Sequence, residues 1–391
     1  MRTALLLLAL SLTTQASAQQ QPPRSDRVVA IRAGRLLEVS TGTVVENATI
    51  VVRNDRIEAV GRDVRVPAGA QVIDLSDQTV MPGFIDMHTH ITGDPSDGYS
   101  DQVLHEWPGY EAIVGVKNAR KTLMAGFTAV RNVGAGDWSD VALRDAIGKD
   151  VVPGPRVFPA ANALGITGGH CDTNGYRPDL RREPGPEQGI ANGIDEVRRA
   201  VRYQIKYGAA VIKICATGGV LSAGDAVGVQ QYTLDEMKAI VETAAFSELK
   251  VAAHAHGREG IKQAVQAGVA SIEHGSLLDD EAIDLMLQKG TYLVPTQYLI
   301  RRMDMTRLPA LWRRKAEYLF PLKDASLEKA IKRRVKIAFG TDAAVYPHGE
   351  NAREFAEYVR LGMTPLDAIR CATTHAADLL GVDDRGVIAP G

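Results

Sequence analysis

The sequence predicts an α/β fold, a TIM (β/α)8 barrel carrying a small β-sandwich, and two observations predict it. Eight short apolar stretches, at 84–90, 129–133, 156–160, 210–216, 251–255, 271–275, 292–296 and 337–343, alternate with stretches of helical pattern. Eight is the number of parallel strands that closes such a barrel. Ahead of them, residues 28–80 alternate apolar and polar positions in short runs at 28–31, 49–52, 57–60 and 71–75, separated by Gly- and Asp-rich turns. Period-two alternation between turns reads as a small antiparallel β module. The rhythm changes at Pro82-Gly83, which marks a boundary: 19–80 as the first part of the sandwich, 81–380 as the barrel, and 381–391 as the start of a return to the sandwich.

The helical stretches at 111–125, 194–207, 234–249, 259–267 and 280–288 carry apolar residues three and four apart, the spacing of one helix face. Thr233 with Glu236 has the form of a capping box. A chain of 391 residues, 45% of them hydrophobic, can bury one large core of this kind. The formal net charge is −2 and the Lys and Arg residues are spread along the chain, so neither nucleic acid nor an anionic membrane is expected as a partner.

Met1-Arg2, an apolar run over 4–10 and Ala16-Ser17-Ala18 before Gln19 have the form of a secretory signal peptide, 1–18, which places the mature protein in the periplasm or outside the cell. The run is too short to span a membrane. Cys171, Cys215 and Cys371 are odd in number and scattered, unlike a disulfide framework, so packed thiols are expected at all three. At the other end, the pattern stops at Pro390-Gly391, and a further segment completing the β module is expected beyond it.

Residues that carry chemistry gather at strand ends. His88 and His90 close the first barrel strand, and side chains two apart on a strand point the same way, so both imidazoles face the axis. Lys213 lies on the fourth strand, His254 on the fifth, His274 on the sixth and Asp342 on the eighth, all toward the C-terminal face where barrel active sites lie. Imidazole suits zinc, iron, nickel or copper. His105 and His348 sit in loops and His375 in a terminal helix, where exposure or local packing is expected. An ammonium at Lys213 would be repelled by nearby metals and costly to desolvate. A neutral amine can instead combine with carbon dioxide into a carbamate, a bidentate anion that two dications would stabilise. The alternative is a lysine reaching the rim or pairing with Asp342.

The segment Val80-Met-Pro-Gly-Phe-Ile-Asp-Met-His-Thr-His90 resembles the first-strand signature of the amidohydrolase superfamily, and the resemblance extends over 28–391. It implies a first divalent metal on His88, His90 and Asp342, a second on His254 and His274, and a carbamate on Lys213 bridging them. Zinc is the first expectation for both, with cobalt and manganese able to serve. Ile166-Thr-Gly-Gly-His170 with Cys171-Asp172, and Gln231-Tyr232-Thr233, are similar to segments of a subgroup of prolidase-like dipeptidases and N-acyl amino-acid hydrolases that includes bacterial ochratoxin-degrading enzymes. Cys171 departs from it where a glycine is expected.

By that resemblance His170 and Tyr232 hold the substrate's α-carboxylate, and His256 faces the substrate. The implied reaction is hydrolysis of an amide or peptide bond beside a C-terminal carboxylate, in a dipeptide, an N-acyl amino acid or ochratoxin A, by a hydroxide shared between two metals. Asp342, Lys213 and His170 are the expected catalytic residues, Asp342 carrying the proton to the leaving amine. A homo-oligomer such as an octamer is implied as well. Two other readings compete: a mononuclear deaminase or cyclic-amide hydrolase of the same superfamily, and a non-catalytic metal-binding protein. Lys213 speaks against the first and the complete ligand set against the second.

Overall fold

The computed structural model describes residues 26–94, 106–180 and 182–391. The leader 1–18 and His105 lie outside the described residues. Four strands, β1 (Val28–Glu38), β2 (Thr43–Arg53), β3 (Arg56–Gly61) and β4 (Gln71–Val80), form one sheet in the order β3-β2-β1-β4. Leu36, Ala48 and Ile50 form its core, and Ile388 packs against them. The backbone N–H of Gly391 donates to Ile57 O at 2.9 Å, so the end of the chain touches this sheet.

One expectation fails here: the module is not wholly antiparallel, because β4 pairs parallel to β1. Alternation tells which residues share a face but not which way a strand runs; 62–70 carry the chain back across the sheet before β4 begins. A bulge lies between Ala33 and Arg35, where a Cβ on Gly34 would stand 2.1 Å from Ser76 O, so the backbone of β4 can approach only a glycine.

The remaining strands are parallel: β5 (Phe84–Thr89), β6 (Phe127–Asn132) and β7 (Arg156–Pro159) in one sheet, and β8 (Ile212–Cys215), β9 (Val251–Ala255), β10 (Ser271–His274) and β11 (Tyr292–Val294) in another. Helices follow in alternation: α1 (Tyr110–Met124), α2 (Ser139–Gly148), α3 (Gly193–Lys206), α4 (Leu234–Ala245), α5 (Arg258–Ala267) and α6 (Asp280–Lys289). After β11 come α7 (Leu299–Arg302), the long α8 (Ala310–Lys332), α9 (Glu354–Arg360), α10 (Pro365–Cys371) and α11 (Thr374–Leu380).

The middle strands are buried on both faces, as parallel strands covered by helices are. Ile214 and Ile272 of the strands pack in one cluster with Ile240, Ile261 and Val265 of the helices. Each such side chain contributes about 1.5–3 kcal/mol by leaving water. On α3 the buried Val197, Ala200, Val201 and Gln204 form the inward stripe. Thr233 and Glu236 form the capping box at α4, with Glu236 Oε2 accepting from Thr233 N at 2.8 Å.

The eighth apolar stretch is not a strand among the described residues, although it lies where a strand would. Ile337 bridges Leu293, Ala343 bridges Thr89, and Phe339 O accepts from Met87 N at 2.8 Å. The ladder breaks because Thr341 N and Asp342 N both turn toward His88 O and Asp342 has φ 61°. On the other side, Leu164 bridges Ile214 and links the segment after β7 to β8.

That last link brings a second correction. Cys171 and Cys215 form a disulfide, Cα–Cα 5.8 Å, rather than two packed thiols. Leu164 N donates to Lys213 O and Cys215 N to Leu164 O, both at 2.8 Å, and this lays the loop carrying Cys171 against β8. Spacing along the chain does not reveal that contact. Cys371 is a buried free thiol, as expected.

Candidate active site

The histidines meet at the C-terminal ends of the parallel strands. His88 Nδ1 stands 2.7 Å from Glu273 Oε2, and His90 Nδ1 stands 3.1 Å from Gly134 O. A carboxylate and a carbonyl only accept, so both rings carry a hydrogen on Nδ1, and the neutral form of either presents a bare Nε2. Those two Nε2 atoms approach Asp342 Oδ1 at 3.4 and 3.5 Å. Three acceptors that close repel one another unless a cation stands among them.

Two groups have the spacing of metal ligands, one donor atom from each residue lying within 4.8 Å of the others: His88, His274 and Asp342, and His254, His256 and His274. His274 belongs to both. The rings of His254 and His274 lie 4.7 Å apart between centroids, and His254 Nε2 is buried without a hydrogen-bond partner among the described residues. Lys213 is 3% exposed and interacts electrostatically with Asp342 and Glu273. This donor set fits divalent metal: bare imidazole nitrogens, a carboxylate and an orphaned buried nitrogen.

Local backbone geometry aims these side chains. On an extended strand Glu273 and His274 would point to opposite faces. Instead His274 has φ 69° and Thr296 φ 50°, as does Asp342 a positive value, a conformation that L residues adopt at a cost of order 1–3 kcal/mol. Glu273 thereby reaches His88 while His274 still joins the cluster.

A supporting layer holds the rings. Arg131 donates to Glu273 Oε1 at 2.7 Å and to Met87 O at 2.6 Å. His256 Nδ1 lies 2.7 Å from Ser276 Oγ, and His274 Nδ1 2.7 Å from Thr296 Oγ1, to which Lys323 donates from α8 at 3.2 Å. Sequence reasoning missed Glu273, Arg131, Thr296 and Lys323. A signal was present for two of them: Arg131 and Glu273 are charged residues inside apolar strands, and a charge buried there needs a partner.

Burial dominates the electrostatics. It pulls His254, His256 and His274 well below the usual imidazole range and His90 down to about 4, so these rings are neutral and offer lone pairs. It pulls the Lys213 amine down to about 8, within reach of the neutral form. Burial pushes the Asp342 carboxyl up, but positive charge beside it, on His88 and His90 when they are protonated and on Lys213, prevails and holds it well below the usual carboxylate range. Glu273 is likewise pushed up by burial and brought down to about 2 by Arg131 and His88.

Of the two residues expected at the substrate's carboxylate, the structure brings one to the cluster. The His170 ring lies 4.2 Å from that of His254, and its Nδ1 is 2.8 Å from Ser222 Oγ. Tyr232 instead sits fully buried in the hydrophobic core between strands and helices, its hydroxyl without a hydrogen-bond partner among the described residues and acted on by Glu236 and Glu196. His256, expected to face substrate, stands inside the histidine trio. His348 and His375 are packed locally, on His90 O at 3.2 Å and Ile337 O at 2.9 Å.

The model of the amidohydrolase family matches residues 79–391. Ochratoxinase of Aspergillus niger is 37% identical over 372 residues, covering 90% of this chain and 76% of that protein. A crystal structure of a Xaa-Pro dipeptidase with methionine bound in its active site superposes with a TM-score of 0.88 at 39% identity, covering 93% of this chain and 91% of that one. A prolidase complexed with N-methylphosphonate-L-proline superposes with a TM-score of 0.83 at 32% identity over 93% and 90%. The fold is therefore a TIM-barrel-like α/β fold, and with the family matched over most of its length the chain belongs to the amidohydrolase family, as a hydrolase acting on amide bonds.

Proposed function

We propose that this protein hydrolyses an amide or peptide bond beside a free α-carboxylate, with two divalent cations, zinc first among the candidates. His88, His90 and Asp342 would hold one, His254 and His274 the other, and a carbamate on Lys213 would stand between them. The observation that carries the proposal is the convergence of two bare imidazole nitrogens on Asp342 Oδ1 at 3.4 and 3.5 Å, an arrangement of acceptors that calls for a cation. The joint membership of His274 in both ligand groups supports a paired rather than a single site. Methionine and N-methylphosphonate-L-proline, the molecules bound to the two similar structures, both carry an α-carboxylate, which supports the substrate class.

Bound cations supply Lewis acidity at the carbonyl oxygen and a water acidic enough to react at neutral pH. Asp342 accepts the proton of the attacking water and delivers it to the departing nitrogen. His170 orients the substrate by its carboxylate, and we assign this to His170 in preference to the core-buried Tyr232. His256, steadied by Ser276, borders the same space and would contact the acyl side.

Beyond the site, we read the parallel strands as one closed barrel, 81–380, supported by the bridges Leu164–Ile214, Leu293–Ile337 and Thr89–Ala343. The sheet of 19–80 would be joined by 381–391 into a sandwich. Export by the leader 1–18 to the periplasm or beyond is supported by the Cys171–Cys215 disulfide, which suits an oxidising compartment. Association into a homo-oligomer is part of the same reading.

The test is release of free amino acid from a panel of dipeptides, N-acyl amino acids and ochratoxin A, with and without chelator, alongside metal analysis. Two metals per chain and activity lost on chelation are expected. Asp342→Asn should abolish turnover with metal largely kept; an Asp342→Asn variant of full activity, or one metal per fully active chain, would refute the assignment.

A further inference from the structure

The parallel strands form two separate sheets, β5-β6-β7 and β8-β9-β10-β11, and the candidate ligands are divided between them. His88 lies on β5 and His90 just after it, whereas Lys213, His254 and His274 lie on β8, β9 and β10. A centre that draws on both sheets depends on how far apart they stand.

The two seams between the sheets are closed differently. Between β11 and β5 the stretch 337–343 supplies backbone hydrogen bonds to either side. Ala338 N donates to Leu293 O at 3.0 Å, Met87 N to Phe339 O at 2.8 Å and His90 N to Ala343 O at 3.0 Å. Between β7 and β8 the backbone contact is sparser. Ala210 N donates to Pro159 O at 2.7 Å, and the Leu164–Ile214 bridge is made by Leu164 N to Lys213 O and Cys215 N to Leu164 O. The side chains packed there are small or β-branched: Ala160, Val211 and Ala252 form a cluster of their own. At the upper end of this seam stands the Cys171–Cys215 disulfide, joining the loop after β7 to the last residue of β8. His170 contacts Ser222 and Gln231 beside it. Cys215 and Lys213 are two apart on one strand and share a face, so the covalent link attaches next to a candidate ligand.

We propose that the Cys171–Cys215 bridge is a redox-controlled staple across this seam: oxidised, it sets the spacing of the two sheets' ligands, and reduced by a dithiol, it lets them part and weakens their shared hold on cations. This rests on the reading of a metal centre built from both sheets. Cys171 is half-buried and Cys215 only 3% exposed, so attack falls on Cys171. One thiolate of the dithiol bonds to the Cys171 sulfur, and the Cys215 sulfur leaves and takes up a proton. The reagent's second thiol then closes on its first sulfur and releases Cys171 as a thiol. Two electrons and two hydrogens have passed to the protein, and the reagent departs as a cyclic disulfide. In a reducing compartment the staple stays open, and the centre tightens where oxidants prevail.

The experiment compares three metal-free samples: oxidised wild type, wild type reduced with dithiothreitol and freed of the reagent under nitrogen, and Cys171→Ala/Cys215→Ala, which lacks both thiols. Amide hydrogen exchange is read at 159–166 and 210–216 on the stapled seam and at 336–343 on the other, and zinc affinity by competition with a chelator. Reduced wild type and the double variant should exchange faster at the stapled seam and no faster at the other. Both should bind zinc about 10-fold more weakly, a coupling of ordinary size between linked sites. Oxidised glutathione should reverse both changes in wild type and alter nothing in the double variant. Unchanged zinc affinity in the folded double variant overturns the proposal. So does exchange that is equal in the two redox states, or that rises equally at both seams. Failure of oxidised wild type to bind zinc would instead sink the reading of a metal centre, and exchange at the stapled seam would still decide whether the bridge holds the sheets together.

Discussion

Arg131 and Glu273 form an ion pair that solvent barely reaches, with Nη2 at 2.7 Å from Oε1 and side-chain exposures of 2% and 0%. The second oxygen of that carboxylate takes the His88 Nδ1 hydrogen. One buried anion thus does two jobs: it neutralises the guanidinium between β6 and β10, and it turns the bare nitrogen of His88 toward Asp342. Glu273→Gln removes the charge and puts an amide hydrogen within reach of one of the two partners. Metal affinity should fall about 10–100-fold, as when an outer partner of a ligating histidine is lost. The unpaired Arg131 should cost about 3–5 kcal/mol of stability. Competition with a metallochromic chelator and denaturant melts measure both, and unchanged affinity would remove Glu273 from the metal-holding machinery.

Lys213 offers a test that depends on carbon dioxide. If its amine is carboxylated between two cations, metal-free protein reconstituted in buffer purged of carbon dioxide should regain activity slowly, and added bicarbonate should speed the recovery. Lys213→Ala should be inactive and should recover a measurable fraction of activity when a short carboxylic acid fills the vacated space. Equally fast reconstitution with and without bicarbonate would leave Lys213 as a plain buried amine.

The candidate ligands could be picked out of the sequence because each stands at the end of an apolar strand, and apolar strands are what a periodicity reading finds best. His88, His90, Lys213, His254, His274 and Asp342 all lie at such ends, and the structure gathers the four histidines and Asp342 while placing Lys213 within electrostatic reach of Asp342. What escaped depends on contacts between distant segments. The Cys171–Cys215 bridge follows from a loop lying against β8, and the Thr296–Lys323 support of His274 from a long helix placed over the strand ends. The parallel direction of β4 was hidden because a two-residue period is the same in either direction. Tyr232 was singled out by a local resemblance, which carries no information on its burial in the hydrophobic core.

The disulfide should be visible as a thiol count. Unfolded without reductant, the protein should titrate one thiol, that of Cys371; three would show the bridge to be absent. Because 44 positions separate its ends, closing that loop limits the unfolded chain, and breaking the bridge should destabilise the protein by about 2–4 kcal/mol. The double variant Cys171→Ala/Cys215→Ala and reduced wild type should melt alike, since both release the same loop.

Asp140 gives a pH dependence that can be isolated. Its carboxylate is buried behind the end of β5, where Oδ2 accepts from Asn132 Nδ2 at 3.0 Å and Ala161 N at 3.2 Å, and Asn132 in turn accepts from Ile91 N at 2.6 Å. Burial raises its carboxyl to about 6, and the hydrogen bonds from Asn132, Ala161 and Val141 offset that only in part. The folded state therefore binds this proton more tightly than the unfolded chain does. The corresponding stability is fully present below the ordinary value of 3.8 and is lost as pH rises through about 6. Its size is on the order of 3 kcal/mol, from a rise of roughly two pH units. Asp140→Asn cannot ionise, so the stability of wild type relative to this variant should decline by that amount between pH 4 and 7 and stay level above. Denaturant midpoints measured at one-unit intervals suffice, and a difference that is flat over this range would show that Asp140 ionises as an ordinary surface carboxylate.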